Sequence, residues 1–193
     1  PEFTSTSITV AIEDSLYSYT VTASDVDVGD ALSFAAPTLP PWLSFDTSTK
    51  ILSGTPLNAH VGVHSVILAV SDGFGSVNQS FTITVINTND APEFTSTEIT
   101  AASEDSLYSY TVVATDDDGD VLTFAAPTLP SWLVFDGIST IIGTPLNEHV
   151  GADTVKLTVS DGTATAEQEF YITVANTNDA PVFSSTPVTA ATQ

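Results

Sequence analysis

The amino-acid sequence predicts an all-β protein with two tandem Greek-key β-sandwich domains. Three observations support this prediction: apolar and polar residues alternate, the chain contains an internal duplication, and turn-forming residues separate the alternating segments. Alternation with a period of two is typical of strands that are buried on one face. Pro, Gly, Asp and Asn between those strands favour turns. Several short strands in each repeat therefore predict two packed sheets, each with one face turned inward.

The 193 residues contain two whole repeats and the beginning of a third. PEFTST occurs at Pro1 and again at Pro92, and NTNDAP occurs at Asn87 and again at Asn176. A related segment, PVFSST, begins at Pro181. Self-similarity at a fixed period is the signature of tandem structural units. The predicted units are domain 1 at residues 1–90, domain 2 at 91–180, and the start of a third repeat or a tail at 181–193.

The first long strand is predicted to begin at Tyr17, because the odd positions through Ala23 are apolar or aromatic and the residues between them are polar. Phe81, Ile83 and Val85 alternate with threonines near the end of the first repeat. Thr, Val, Ile, Phe and Tyr are the residues that strands favour. The same alternation in the second repeat involves Val155, Leu157, Val159, Phe170, Ile172 and Val174.

The apolar side chains of these strands and of the neighbouring segments are the candidate core. Burial of one large apolar side chain contributes about 1.5–3 kcal/mol. A full set in one repeat would outweigh moderate charge repulsion, so the fold should not depend on a bound ion. The predicted core of the first repeat consists of Phe34, Trp42, Leu43, Phe45, Val66, Leu68, Val70, Phe81, Ile83 and Val85.

The charge balance restricts the possible partners. The chain has 24 Asp and Glu against 2 Lys and Arg, which gives a formal net charge of −22 at pH 7. Nucleic-acid binding is excluded, because phosphate contacts need Lys and Arg. Membrane insertion is not expected, since no apolar run approaches the roughly 20 residues of a membrane-spanning helix. The natural partners are cations, and an acidic chain without cysteine favours an extracellular setting.

Acidic and amide side chains recur at matched positions of the two repeats. In an extended D-x-D segment the two carboxylates point the same way and repel each other unless a cation lies between them. Ca²⁺ is bound by six to eight oxygens from carboxylates, amides and carbonyls. These residues are also ordinary turn formers, but the whole repeated set favours calcium. The matched positions are Glu13 and Glu104; Asp25, Asp27 and Asp116, Asp118; Asp72 and Asp161; Asn87, Asn89, Asp90 and Asn176, Asn178, Asp179.

The order TASDVD, VSDG and NTNDAP resembles the cadherin repeat. In that family a D-x-D motif, a strand-end aspartate and a D-x-N-D-N linker bind calcium between successive domains. PPWLSFD and LSGTPLNAHVG look more like the dystroglycan-type cadherin-like repeats and the immunoglobulin-like repeats of large bacterial surface proteins. The resemblance covers both repeats almost end to end. It implies a calcium-stiffened module on a bacterial cell surface.

Transfer of the cadherin pattern residue by residue implies one complete junction site between the repeats. Its ligands would be Glu13, Asn87, Asn89, Asp90, Asp116, Asp118 and Asp161. Half-sites would remain at Asp25, Asp27 and Asp72, and at Glu104, Asn176, Asn178 and Asp179. Cadherins carry L-D-R-E where this chain has Leu57-Asn58-Ala59-His60, and their linker begins with Asp rather than Asn87. We therefore expect one or two ions per junction.

A catalytic site is not expected. The chain has no G-x-S-x-G, no phosphate-binding glycine loop and no H-E-x-x-H. His60 and His64 have a spacing that would suit zinc on a helix, but the segment is predicted to be a loop that leads into a strand. Trp42 and Trp132 have apolar neighbours and are interpreted as core residues rather than sugar-stacking platforms.

Two functions from different classes stay open. One is a structural spacer in a surface or adhesion protein, with calcium and the neighbouring repeats as its partners. The other is a binding module for cell-surface carbohydrate or for another copy of the same chain. Duplication of the whole domain together with its linker favours the spacer.

Overall fold

The computed structural model describes residues 1–27, 29–186 and 189, and it divides into two compact units, Pro1–Asp90 and Ala91–Gln193. Val28 of the predicted Val28-Gly29-Asp30 turn and much of the predicted third repeat lie outside the described residues. Each unit is built almost entirely of strands, as the two-residue periodicity predicts.

Unit 1 contains nine strands among its described residues. Their bounds are β1 (Glu2–Phe3), β2 (Val10–Ile12), β3 (Tyr17–Thr20), β4 (Ala23–Ser24), β5 (Ser33–Thr38), β6 (Ser44–Asp46), β7 (Ile51–Gly54), β8 (Gly62–Ser71) and β9 (Ser76–Ile86). A 3₁₀ turn covers Asn58–His60.

The described strands of unit 2 repeat this order. They are β10 (Glu93–Phe94), β11 (Ala101–Ser103), β12 (Tyr108–Thr111), β13 (Ala114–Thr115), β14 (Thr123–Thr128), β15 (Leu133–Phe135), β16 (Thr140–Gly143), β17 (Gly151–Ser160) and β18 (Thr165–Ala175). The matching 3₁₀ turn covers Asn147–His149.

Each unit is a sandwich of a four-stranded and a three-stranded sheet. The four-stranded sheets have the orders β2-β9-β8-β5 and β11-β18-β17-β14, and the three-stranded sheets are β3-β7-β6 and β12-β16-β15. The pairings of β2 with β9 and of β11 with β18 are parallel, and the others are antiparallel. The short pairs β1-β4 and β10-β13 complete the units. The predicted all-β tandem sandwich is therefore confirmed.

The core lies between the two sheets, where the inward positions of the strands meet. Every residue of the predicted core is buried or packs against the buried cluster. Tyr17, Tyr19 and Val21, at the apolar and aromatic positions of the first predicted long strand, are buried as well. The structure adds Ala11 and Leu52, which the prediction did not include. Val21 is fully buried although it lies between β3 and β4, so the predicted continuous strand from Tyr17 to Ala23 is interrupted there.

Candidate metal sites

Carboxylates gather at four places among the described residues, two in each unit. Within each group the candidate ligand atoms all lie within 4.8 Å of one another. We name two of them the glutamate clusters and two the aspartate-loop clusters. The glutamate clusters are Glu13–Asp14–Asp90 and Glu104–Asp105–Asp179, and the aspartate-loop clusters are Asp25–Asp27–Asp30 and Asp116–Asp118–Asp120.

Glu13 is the most buried carboxylate of the first glutamate cluster, with 1% of its surface exposed. Its backbone N–H donates to the Ile86 carbonyl at 3.0 Å, which extends the pairing of β2 with β9 by one residue. Its Oε2 accepts the Thr88 N–H at 3.0 Å. Its Oε1 is buried without a hydrogen-bond partner among the described residues. A buried carboxylate oxygen without a partner costs free energy, so this atom is where a cation would stabilise the site most.

Asp14 and Asp90 reach Glu13 from different parts of the chain. Asp14 has φ 56°, a left-handed conformation that Asp tolerates better than most residues. Its N–H donates to the Pro56 carbonyl at 2.9 Å, which fixes the turn before β3. Asp90 lies in the linker that follows β9. The cluster therefore joins the linker to the body of its own sandwich, with only oxygen ligands.

The second glutamate cluster has the same construction. Glu104 is 2% exposed, and its Oε2 accepts the Thr177 N–H at 3.0 Å. Asp105 has φ 60° and donates its N–H to the Pro145 carbonyl at 2.9 Å. Asp179 joins them from the segment after β18. A geometry that occurs twice in one chain is a property of the repeat rather than of one local sequence.

The aspartate-loop cluster of unit 1 forms in a bend, not in the extended segment that the sequence analysis assumed. The Asp27 N–H donates to Asp25 Oδ1 at 2.9 Å, so the chain folds back onto the first carboxylate. Asp25 Oδ2 lies 2.7 Å from the Pro1 backbone nitrogen, and Asp72 Oδ2 lies 3.9 Å from the same atom. The predicted partners Asp25 and Asp72 thus both lie close to Pro1, at the start of unit 1.

The aspartate-loop cluster of unit 2 is the corresponding loop of the second repeat. The Asp120 N–H donates to Asp116 Oδ1 at 3.2 Å, and the Gly119 N–H donates to the Asp116 carbonyl at 3.2 Å. Asp116 Oδ2 is buried and has no hydrogen-bond partner among the described residues. Asp118 completes the group. Both clusters therefore contain one more aspartate than the two ligands of the predicted D-x-D motif.

Asp72 and Asp161 occupy the hairpins between the long strands. Asp72 Oδ1 accepts the Phe74 N–H at 2.7 Å and the Gly75 N–H at 2.6 Å. These hydrogen bonds, with that of Gly75 the stronger, lower the pKa of Asp72. Asp161 Oδ1 accepts the N–H groups of the corresponding residues of its own hairpin, both at 2.6 Å. One carboxylate oxygen of each residue therefore holds the turn.

The linker asparagines lie directly after the last strand of each unit. The Asn89 amide donates to the Asp90 carbonyl at 2.8 Å, and the Asn178 amide donates to the Asp179 carbonyl at 3.2 Å. Asn87 and Asn176 are exposed. The predicted junction set is divided between the units, with Glu13, Asn87, Asn89 and Asp90 in the first and Asp116, Asp118 and Asp161 in the second. That shared site stays a prediction.

Asp14, Asp105, Asp30 and Asp120 were not predicted as ligands. Asp14 and Asp105 follow the two glutamates in the repeated E-D-S-L-Y-S-Y, which is a signal that the sequence carried. Asp30 and Asp120 follow a glycine and read as turn residues.

The tryptophans and histidines have structural roles. Trp42 and Trp132 are 8% and 7% exposed, and each packs edge-on against a tyrosine, at 5.9 Å and 5.6 Å between ring centroids. Their faces are not available to a sugar, so the core interpretation is confirmed. His60 Nδ1 accepts the Leu57 N–H at 3.0 Å inside the 3₁₀ turn. His64 Nε2 lies 2.6 Å from the His60 carbonyl, so the two rings do not form a zinc pair.

The only helices among the described residues are the two three-residue 3₁₀ turns, and neither could cross a bilayer.

Comparison with known proteins finds a bacterial adhesin that is similar to part of this chain. The chain is 33% identical over 126 residues to the serine-rich adhesin for platelets of Staphylococcus aureus strain USA300. The match covers 64% of this chain, which spans 5% of the length of that adhesin. A surface adhesin is therefore similar to these repeats, and most of its length lies outside the match.

Solved structures show the same fold. Human protocadherin-24 EC1-2 matches with a TM-score of 0.54 and 18% identity, over 88% of this chain and 94% of its own. An endo-fucoidan hydrolase of glycoside hydrolase family 107 matches with 28% identity and a TM-score of 0.41, over 88% of this chain and 28% of its own. With that TM-score, the match to the hydrolase supports no inference about the function of this chain.

A family model covers nearly all of both repeats. The model described as "Putative Ig domain" matches residues 1–86 and again residues 91–175. These ranges agree with the two sandwiches. The chain therefore belongs to this family of Ig-like domains and contains two copies of the domain.

Proposed function

We propose that this chain is a calcium-binding tandem module of an extracellular surface or adhesion protein, of the dystroglycan-type cadherin-like kind, and that calcium stiffens it as a spacer. The observation that carries the proposal is the buried Glu13: its Oε1 has no hydrogen-bond partner among the described residues, and its carboxylate lies in one cluster with those of Asp14 and Asp90. The similar adhesin and the acidic, arginine-free composition support an extracellular location.

Calcium would connect the linker to the sandwich in each repeat. Glu13 is fixed by the Thr88 N–H and by the carbonyl of Ile86, while Asp90 is carried by the linker. A divalent cation between the carboxylates would offset their mutual repulsion and restrain that linker. The amide oxygens of Asn87 and Asn89 are of the chemical type that completes an oxygen shell.

The magnitude of the binding energy decides what the ion does. Extracellular modules bind calcium with dissociation constants of about 10⁻⁴–10⁻³ M. At one to ten times that concentration an ion contributes about 0.4–1.4 kcal/mol. This is small beside the hydrophobic core but comparable to the contacts that order a short linker. Calcium should therefore restrain the linker rather than fold the domains.

The repeats carry further proposed ligands. In unit 2 the matching residues Glu104, Asp105, Asp179, Asn176 and Asn178 would hold an ion in the same way. Asp25, Asp27 and Asp72 would do so with a preceding repeat. We also propose that Asp116, Asp118 and Asp161 complete a shared site with the first repeat. Domain boundaries at 90 and 180, with a third repeat after them, belong to the same proposal.

The experiment is a calorimetric calcium titration of the whole chain and of the Asp14→Asn, Asp90→Asn double variant. Asn tolerates the left-handed conformation of residue 14, so the fold should be kept. We expect loss of at least one ion from the stoichiometry, with unchanged circular dichroism. The matched control is Asp46→Asn, which removes a carboxylate outside the four clusters and should keep the wild-type stoichiometry. Unchanged stoichiometry in the double variant would contradict the assignment of the ligands.

Two measurements report on stiffening. Exchange of the Thr88 amide hydrogen should be slower in calcium than in chelator, because its acceptor Glu13 is then held by the ion. Small-angle scattering should show a broader distribution of sizes after chelation. If the titration shows that calcium binds but neither amide exchange nor scattering changes, the proposed spacer role is wrong and the proposed calcium site is still supported.

A further inference from the structure

The four-stranded sheet of unit 1 presents an uncharged outer face. None of its strands β2, β5, β8 and β9 contains Asp, Glu, Lys or Arg. All the carboxylates of residues 1–90 lie in other strands, loops or turns. The corresponding sheet of unit 2 carries Lys156, Glu167 and Glu169 at strand positions that alternate with its buried residues. The two repeats therefore differ in the chemistry of the same face.

One end of this face carries large apolar side chains, which we name the apolar patch: Val10, Ile12, Val63 and Ile86. Their exposed fractions are 49%, 51%, 69% and 50%. Val10 and Val63 both pair with Thr84, and Ile12 pairs with Ile86, so the four side chains occupy two adjacent rows on the same face. The patch is therefore contiguous.

The fold does not require these large side chains. At the matched positions unit 2 has Ala101, Ser103, Ala152 and Ala175, and it forms the same sheet with the same pairing. The apolar patch is therefore a property of the first repeat alone. Contiguous exposed apolar surface on a soluble domain marks an interaction site.

We infer that this face is the contact between two copies of the chain in a two-fold dimer. A two-fold contact brings a face against itself, so an uncharged apolar face is its own complement. In a chain of net charge −22, contact through the acidic loops would instead bring carboxylates together. A cationic partner would be attracted to those loops and would gain nothing from this face.

The area sets the strength of the dimer. The four strands have 3, 6, 10 and 11 residues, and a rise of about 3.3 Å per residue with a spacing of about 4.8 Å between strands gives a face of roughly 480 Å² per copy. Two copies would bury about 950 Å², which is below the roughly 1,200 Å² of stable specific interfaces and in the range of weak, transient ones. The dimer should accordingly be weak and should populate at high local concentration.

Sedimentation equilibrium of the whole chain from about 10 μM to about 1 mM tests the dimer. Chelator removes any contribution from calcium, and about 1 M NaCl screens the net charge to a length of about 3 Å. The variant Ile12→Ser, Val63→Ala, Ile86→Ala places the residues of unit 2 in the patch. We expect self-association of the wild type, strengthened by salt, and an association constant at least about tenfold lower in the variant. A monomer at all concentrations, or equal association of the variant, would overturn the inference.

Cross-linking locates the contact, because the chain has no native cysteine. Thr84 lies at the centre of the patch and is exposed, so Thr84→Cys should form a disulfide-linked dimer in a glutathione redox buffer. Ser18→Cys, exposed on the opposite sheet, is the matched control and should remain monomeric. Equal cross-linking of the two variants would also overturn the inference.

Discussion

The two tryptophans show how single residues distinguish repeats that share one backbone. Trp132 Nε1 donates to Asp153 Oδ2 at 2.8 Å. In the first repeat the matched residue is His64, which packs edge-on against Trp42 at 5.9 Å between ring centroids. Trp42 Nε1 is buried with no hydrogen-bond partner among the described residues. The buried indole N–H therefore has a hydrogen-bond acceptor in the second repeat but none among the described residues of the first repeat.

His64→Asp should stabilise the first repeat, because it would give the Trp42 N–H the acceptor that Trp132 already has. A net intramolecular hydrogen bond contributes about 0.5–1.5 kcal/mol. Calorimetric unfolding of the whole chain measures the change. The reciprocal variant Asp153→Ala should destabilise the second repeat by about 1–3 kcal/mol, since it leaves a buried donor without a partner. A lower unfolding temperature for His64→Asp would contradict this account.

Asp46 illustrates a turn that depends on an ionised carboxylate. Ser48 donates its hydroxyl and its N–H to Asp46 Oδ1 at 2.6 Å and 2.8 Å. The Ser48 hydroxyl is the main cause that lowers the pKa of Asp46 to about 2, from the 3.8 of the free residue. A group with a depressed native pKa stabilises the folded state above its unfolded pKa, and this stabilisation is lost as the pH falls through the native pKa.

We therefore expect wild-type stability to fall between about pH 4 and pH 2 more steeply than that of Asp46→Asn. Unfolding in urea at successive pH values measures the two slopes. Glu2→Gln, which removes a carboxylate elsewhere in the same unit, serves as the control for net charge. Identical slopes for the wild type and Asp46→Asn would show that the turn does not contribute.

At the scale of the elements, the glycines of the two G-T-P motifs allow two segments of backbone to approach each other closely. Gly54 ends β7 and lies against the backbone of Trp42; a Cβ there would be 1.9 Å from the Trp42 carbonyl oxygen. Gly143 has the same relation to Trp132, also at 1.9 Å. The sheet packs this closely because there is no side chain at that position. The motif therefore serves packing, not chemistry.

Gly54→Ala should destabilise the first repeat by at least about 2 kcal/mol, because main-chain atoms would have to move. Gly75→Ala is the matched control in the same unit, since its Cβ would meet only Asp72 Oδ1 at 4.0 Å. We expect the control to change the free energy of unfolding by less than about 0.5 kcal/mol. Urea unfolding of both variants measures the difference, and equal effects would refute the packing explanation.

The elements were more predictable than the geometry of the clusters. Period-two alternation identified Val66, Leu68 and Val70 as core, because burial of one strand face leaves a direct trace in the sequence. Asp25 and Asp27 were predicted to converge as neighbours on an extended strand, but they converge because a bend folds the Asp27 N–H onto Asp25. Backbone bends and left-handed residues such as Asp14 are harder to predict from the sequence than burial is, because they produce no periodic pattern of residue types.

The whole molecule is governed by its charge. With 24 acidic residues and 2 basic ones, each unit folds against its own repulsion. Among the described residues, few basic side chains form ion pairs. Lys156 Nζ lies 2.9 Å from Glu167 Oε2, and both side chains are partly exposed. Hydrophobic burial, rather than ion pairing, must therefore hold both sandwiches together.

Added salt should raise the unfolding temperature of the whole chain. Screening shortens the range of repulsion from about 30 Å at 0.01 M salt to about 3 Å at 1 M. A second titration with calcium at constant ionic strength separates screening from specific binding, because a bound ion stabilises further at millimolar concentration. If NaCl leaves the unfolding temperature unchanged, repulsion between the carboxylates is not a significant cost in the folded state.

The parallel pairing of β2 with β9 has a mechanical consequence. β2 lies near the amino-terminal end of unit 1, and β9 is the last strand of the unit and is followed by the linker. Tension along the chain pulls these neighbours in opposite directions along their own axes, so their hydrogen bonds are loaded together in shear rather than opened one at a time. Glu13, anchored to Ile86 and Thr88 at the end of this pair, lies where such a load would be greatest.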